Sequence, residues 1–227
     1  MWPSTPGELI RAQGQLAELT PSPWRLREPR PLVAGCFVCF ARGRGGRGRA
    51  GEPGWAAAVL MTGDRRPLGA AVVTGSAGGP YEPGLLALRE GPLLEAALRA
   101  LPAEPEVVMA NASGRDHPRG AGLALHLGAL LDLPSVGVTD RPLVASGPEP
   151  GPARGESASL RLGRLEVARA LRTRSRARPI VVHPGWRTDL DTAAAVVVAA
   201  TRRARTPEPL RRARRAAREA RAAADLG

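Results

Sequence analysis

The chain reads as an α/β fold, a mixed five-stranded sheet flanked by helices, and three observations predict it. Apolar runs near 32–40, 55–62 and 69–75 follow one another, the pattern of an antiparallel meander. From residue 84 onward, helix-length and strand-length patterns alternate, as parallel strands joined by crossover helices require. Finally, 227 residues with 43% hydrophobic content suffice for one sizeable core, so residues 1–227 are expected to form a single domain.

Each element has a local reason. Thr5-Pro6-Gly7-Glu8 is a helix start, with a capping hydroxyl, proline in the first turn and an acid three residues after the cap. That helix runs to about Leu19 and stops before Pro21 and Pro23. The first two strands flank the Gly/Arg segment 41–53, whose low complexity predicts a mobile loop. A helix at 84–101, a strand at 105–110, a helix at 120–131 and a strand at 134–138 supply the alternation. After the Pro/Gly-rich stretch 146–155 come two strand-like runs, near 160–173 and 178–183. Helices at about 189–205 and 207–224 close the chain.

The formal net charge is +12, yet all 33 basic residues are arginine, with two isoleucines and one tyrosine in the chain. Such bias looks like high-GC coding. The excess is also local, since 41–52 and 201–227 together hold +9 of it. These segments, the second a basic C-terminal helix or tail, read either as solvated surface or as a face for nucleic acid or an acidic partner. No apolar run approaches the roughly 18 residues of a membrane span, and no leader pattern opens the chain, so a soluble cytoplasmic protein is expected. Cys36 and Cys39 have odd spacing on a strand, which points them to opposite faces and argues against a disulfide or a shared metal.

Glu90 stands out without any further knowledge. On the helix of 84–101 the buried stripe would be Leu86, Glu90, Leu93, Leu94, Ala97 and Leu101, and a carboxylate there costs several kcal/mol unless partnered. A functional acid, a first-turn acid favoured by the helix dipole and a buried partner for an arginine all fit.

Around it lie two sequence blocks, Pro80-Tyr81-Glu82-Pro83-Gly84-Leu85-Leu86-Ala87-Leu88-Arg89-Glu90-Gly91-Pro92 and Asn111-Ala112-Ser113-Gly114-Arg115-Asp116-His117-Pro118-Arg119. Both resemble endonuclease V, a metal-dependent nuclease family of ribonuclease H-like fold that nicks nucleic acid beside deaminated bases. Val33–Phe40, Gly122–Gly128, Leu133–Val138, Ala170–Thr173 and Pro179–Arg187 resemble further blocks of that family in the right order. The resemblance spans roughly residues 30–195 and implies the fold, a mixed sheet entered by a three-strand meander.

It also implies roles. Pro80, Tyr81 and Pro83 match a wedge that the family inserts between strands; the same loop would also position the helix carrying Glu90. The family's metal-binding acids correspond to Phe37, Glu90 and Asn111, its catalytic lysine to Asp140, and a C-terminal histidine to Trp186. By this reading Phe37, Asn111 and Trp186 are substituted positions, with Phe37 placing a ring where a metal would sit and only Glu90 left as an acid. Two divalent ions need anionic oxygens around them, so the sequence predicts no bound metal, no cofactor and a degenerate, pseudoenzyme-like nuclease site. Glu90, His117, Asp140 and Asp116, with His183, remain as candidates for metal-free acid–base chemistry. Plainer roles exist for three of them: Asp116 as a cap for the following helix, His117 as structural, Asp140 as a partner of Arg141 or Arg119.

The expected function is therefore a repurposed scaffold, a catalytic or partner subunit in a non-nucleolytic, small-molecule or biosynthetic process, with a protein partner on an apolar or Arg-rich surface. A non-cleaving binder of deaminated or distorted DNA or RNA is the alternative, and an active deoxyinosine-type endonuclease ranks third.

Overall fold

The computed structural model describes residues 1–26, 31–41 and 48–225. Eight strands form one sheet: β1 (Val33–Phe40), β2 (Pro53–Met61), β3 (Pro67–Ser76), β4 (Val107–Ala110), β5 (Ser135–Thr139), β6 (Ser157–Leu162), β7 (Leu165–Leu171) and β8 (Ile180–Pro184). Their order is β3-β2-β1-β4-β5-β8-β7-β6. The five expected strands are its first five, with the expected antiparallel meander β1–β3 and parallel pairing of β1, β4 and β5. Three antiparallel strands extend the sheet beyond β5. The single strand-like run near 160–173 is a hairpin, because Gly163 takes the left-handed conformation (φ 60°) and turns the chain.

Helices α1 (Pro6–Glu18), α2 (Leu86–Arg99) and α3 (Leu123–Leu131) cover one face, and α4 (Leu190–Ala200) and α5 (Glu208–Ala224) cover the other. The period-2 alternation of β1 decides which residue meets which layer. Ala34, Cys36 and Val38 join the core beneath α2 and α3, whereas Phe37 and Cys39 meet α5. The two cysteines lie on opposite faces, as their spacing requires. Gly35 is what lets α5 cross β1 closely, since a Cβ there would stand 2.3 Å from the backbone of Pro209.

Thr5 caps α1 with both halves of a capping box in place. On α5, Leu210, Ala213 and Ala217 are buried against the sheet while Arg211, Arg212, Arg215 and Arg218 face outward. Much of the loop expected at 41–53 lies outside the described residues. Among the described residues no helix is long and apolar enough to cross a membrane.

Candidate active site

The site begins where two parallel strands part. β1 and β4 run in register from Val33↔Val107 to Cys36↔Ala110, and β4 pairs with β5 as far as Ala110↔Gly137. β4 then ends, while β1 continues to Phe40 beside β2. Asn111 leaves the sheet at this fork. Open α/β sheets bind ligands in the crevice outside the carboxyl ends of their strands, and here a cleft of about 520 Å³ opens there. Its walls are the Tyr81–Gly84 loop and the start of α2 on one side, Asn111–Ser113 at the floor, and Thr139–Leu143 on the other side.

The first wall is pinned through one carbonyl. Gly84 has φ +81°, a conformation glycine adopts without strain, and its oxygen accepts from Gln13 Nε2 (3.0 Å), Arg119 Nη2 (2.6 Å) and His117 Nε2 (3.1 Å). Arg119 Nε donates to Gln13 Oε1 (2.6 Å), closing the cluster. The backbone N–H of Arg119 donates to His117 Nδ1 (3.2 Å), which leaves the proton of a neutral ring on Nε2. Burial, then the neighbouring Arg119 charge, pushes His117 down to about 4. His117 lines the cleft, but both nitrogens are engaged in holding the loop that carries Tyr81, itself 48% exposed.

The opposite wall hangs from Asp116, which is fully buried. Its Oδ2 accepts from the N–H of Leu143 (2.7 Å), and its Oδ1 from Val144 (2.9 Å) and Ala145 (2.8 Å). Asp116 is thus no cap for the following helix, whose N-cap is Gly122. His183 sits behind, with Nε2 2.8 Å from Thr139 Oγ1 and Nδ1 3.8 Å from Asp116 Oδ2. Burial takes its pKa down to about 4 against the pull of Asp116. Thr139 Oγ1 donates to Arg141 O (2.7 Å), so the turn at 140–145 is tied down at both ends. Asp140 lines the cleft and pairs with Arg205 (2.6 Å), with neither Arg141 nor Arg119 as its partner.

The other candidates surround this cleft without all entering it. Glu90 lies one turn along α2 from the cleft residue Leu86 and electrostatically faces Cys36; burial pushes its carboxyl up to about 8, against the opposing effect of Arg89. Its neighbour Arg89 is the paired buried charge of this helix, bound to Glu52 at 2.8 Å and stacked 3.8 Å over the Phe40 ring. Phe37 does not fill the cleft: its ring stands on the α5 face, packed near Ala213 and Ala217 with Arg214 4.9 Å above it. Trp186 does not line it either, and its Nε1 donates to Asp132 (3.0 Å). Gln13, Ser113, Thr139 and Arg141 belong to the cleft region and were not singled out from the sequence. Only Gln13 left a signal there, a polar residue four after Leu9 on the buried face of α1.

The matched metal positions can be tested as a ligand set. They offer an aromatic ring on the other sheet face, an amide, and the carboxyl of Glu90. Among the described residues no group of three or more His, Cys, Asp or Glu is placed to hold a metal ion. No step below runs through a metal ion.

An α/β sheet with an open cleft at its parallel strand ends is the class the geometry defines. Comparison with known proteins makes it specific. A family model described as Endonuclease V matches residues 23–215. The Endonuclease V of Streptomyces avermitilis is 46% identical over 169 residues, 73% of this chain and 74% of its own. That of Azotobacter vinelandii is 38% identical over 222 residues, 95% of each chain. The crystal structure of the Streptomyces avermitilis Endonuclease V superposes with a TM-score of 0.87 at 38% identity, covering 99% of this chain and 96% of that one. The catalytic domain of human Endonuclease V gives 0.83 at 28% identity, covering 97% and 98%. The chain belongs to the endonuclease V family.

These relationships overturn the expected function. Relatives 38–46% identical over most of the chain carry the name of a nuclease, so the non-nucleolytic, repurposed scaffold and the expectation that the protein is not a nuclease are both withdrawn. The expectation judged the site by the charge of four substituted positions, Phe37 and Trp186 among them, with the Phe37 ring placed where a metal would sit. Neither side chain lines the cleft, and the cleft is open.

Proposed function

We propose that the protein is a nucleic-acid endonuclease of the endonuclease V type, holding a strand in this cleft and hydrolysing a phosphodiester beside a deaminated base. The observation that carries the reading is the open cleft at the fork of β1 and β4, in a chain that shares 38% identity over 95% of its length with a named Endonuclease V. Tyr81 supports strand separation. It is exposed on a loop stiffened by Pro80 and Pro83 and fixed through Gly84, and an aromatic so held stacks on an unpaired base for about 1–3 kcal/mol.

In the hydrolysis a water oxygen forms a bond to phosphorus and one phosphorus–oxygen ester bond breaks. The water loses a proton and the departing oxygen gains one. Asp140 and Glu82 line the cleft, and Glu90 lies one turn along α2; these carboxyl groups are the ones available for the transfers. In this proposal His117 and Asp116 are positioning residues for the two walls. Asn111, at the floor, offers an amide that both donates and accepts. The same reading makes nucleic acid the partner and the cytoplasm the place of action.

The test is nicking of an inosine-containing oligonucleotide, with magnesium or manganese supplied as the family's reaction requires. Cleavage by the wild type, lost in Glu90→Ala and reduced at least tenfold in Tyr81→Ala, is the expected result. Tight binding of the same strand with no cleavage under any of these conditions would overturn the proposal.

A further inference from the structure

We infer that Arg141 is the phosphate-gripping residue of the cleft, taking a backbone phosphate of the bound strand; the inference rests on the nuclease reading above. Arg141 is the only arginine that lines the cleft among the described residues, alongside two carboxylates, Glu82 and Asp140. A cleft with those two acids and no cation would repel a polyanion, so one positive group has to face the strand.

The other candidates for that task are occupied. The guanidinium of Arg119 is committed to Gln13 and Gly84. Arg205 reaches over to Asp140 at 2.6 Å while also donating to the carbonyls of Arg178 and Pro179. That pairing matters twice, because it offsets the Asp140 charge next door and leaves Arg141 without the partner that sequence adjacency offers it. The Arg141 side chain is exposed and makes no hydrogen bond or ion pair with the described residues.

Its backbone, by contrast, is fixed. Arg141 O accepts from Thr139 Oγ1, and the next residues but one are held by Asp116 through three N–H groups. A free guanidinium on an immobilised turn loses little backbone entropy on binding, and its fork of donors matches two phosphate oxygens at once. Asn111 and Ser113 at the floor of the cleft add neutral polar groups suited to the same phosphate.

The experiment is fluorescence anisotropy with a labelled single-stranded inosine-containing oligonucleotide, in EDTA to prevent turnover, across a salt series. Arg141→Gln is expected to weaken binding about tenfold or more. It should also flatten the slope of log affinity against log salt by about 0.7, the increment for one single-strand phosphate contact. Arg141→Lys is expected to restore the slope, and Arg215→Gln, on the outer face of α5, to leave both quantities unchanged. A purely structural role would move affinity without a slope change that lysine restores. If the wild type binds and nicks while Arg141→Gln matches it in affinity and slope, the inference is overturned and the nuclease reading stands. If the wild type binds no strand at all, both fall.

Discussion

Asp116 shows what a single side chain does for this site. Three backbone N–H groups converge on a carboxyl with no solvent exposure, and among the described residues those donors have no other partner. Asp116→Ala leaves all three unpaired; Leu143 and Val144 are exposed, so the cost falls mainly on the N–H of buried Ala145, at roughly 1–3 kcal/mol. Denaturant unfolding is expected to show a loss of about that size, and Asp116→Asn, which keeps one acceptor oxygen, a smaller one. Equal stability of wild type and Asp116→Ala would remove this residue from the scaffold of the cleft. The histidines make a second prediction at this scale. His117, His126 and His183 are the three in the chain, and burial takes each down to about 4. A folded pKa below the unfolded value of about 6.5 means the unfolded chain binds protons first. Stability is therefore complete above about pH 6.5 and falls as pH drops toward 4. Proton NMR of the imidazole rings is expected to show no titration between pH 5 and 8; a ring titrating near 6.5 would contradict the burial described. Little of this was legible beforehand. Asp116, His117 and Asp140 were named from the sequence, but hydrogen bonds spanning 27 or more residues of chain have no local signature, so Asp116 looked like a helix cap and the Arg205 partner of Asp140 was invisible.

At the scale of elements, which face a residue takes matters more than which residue it is. The matched position 37 was read as a ring inside the site, yet the alternation along β1 sends Phe37 to α5 and Cys36 toward Glu90. A motif match fixes the position along a strand; the face it presents depends on what packs above and below. Gly35 is the pivot of that packing. Gly35→Ala would drive a Cβ into the backbone of Pro209, a contact that only movement of α5 relieves. Overpacking of this kind costs about 1–3 kcal/mol, and limited proteolysis is expected to cut α5 sooner in the variant than in the wild type. An unchanged cleavage pattern and melting temperature would show that α5 is not seated by this contact. The elements themselves were largely legible: the capping box of α1, the meander and the helix–strand alternation all follow local pattern. The hairpin β6–β7 was not, because a two-residue turn between apolar runs reads as one longer run.

Across the whole molecule, the two strongest sequence signals point to different places. Part of the arginine excess lies on α5, where Arg211 and Arg215 are paired with Glu208 and Glu219 on the face of the sheet away from α2 and α3. The signature blocks converge on the cleft, whose lining holds a single arginine among the described residues. Replacing Arg211, Arg212 and Arg215 together by glutamine is expected to leave oligonucleotide affinity within about twofold, since exposed paired charges outside the cleft contribute little. A tenfold loss would instead make α5 part of the strand path. The claim that joins all three scales is that the cleft at the β1–β4 fork cuts nucleic acid. The measurement that reaches it most directly is a single-turnover nicking time course on an inosine-containing strand with excess enzyme and divalent metal. The expected result is one nick beside the inosine, absent from the unmodified control strand and lost in Glu90→Ala. A strand that stays intact while anisotropy reports it fully bound would contradict the account.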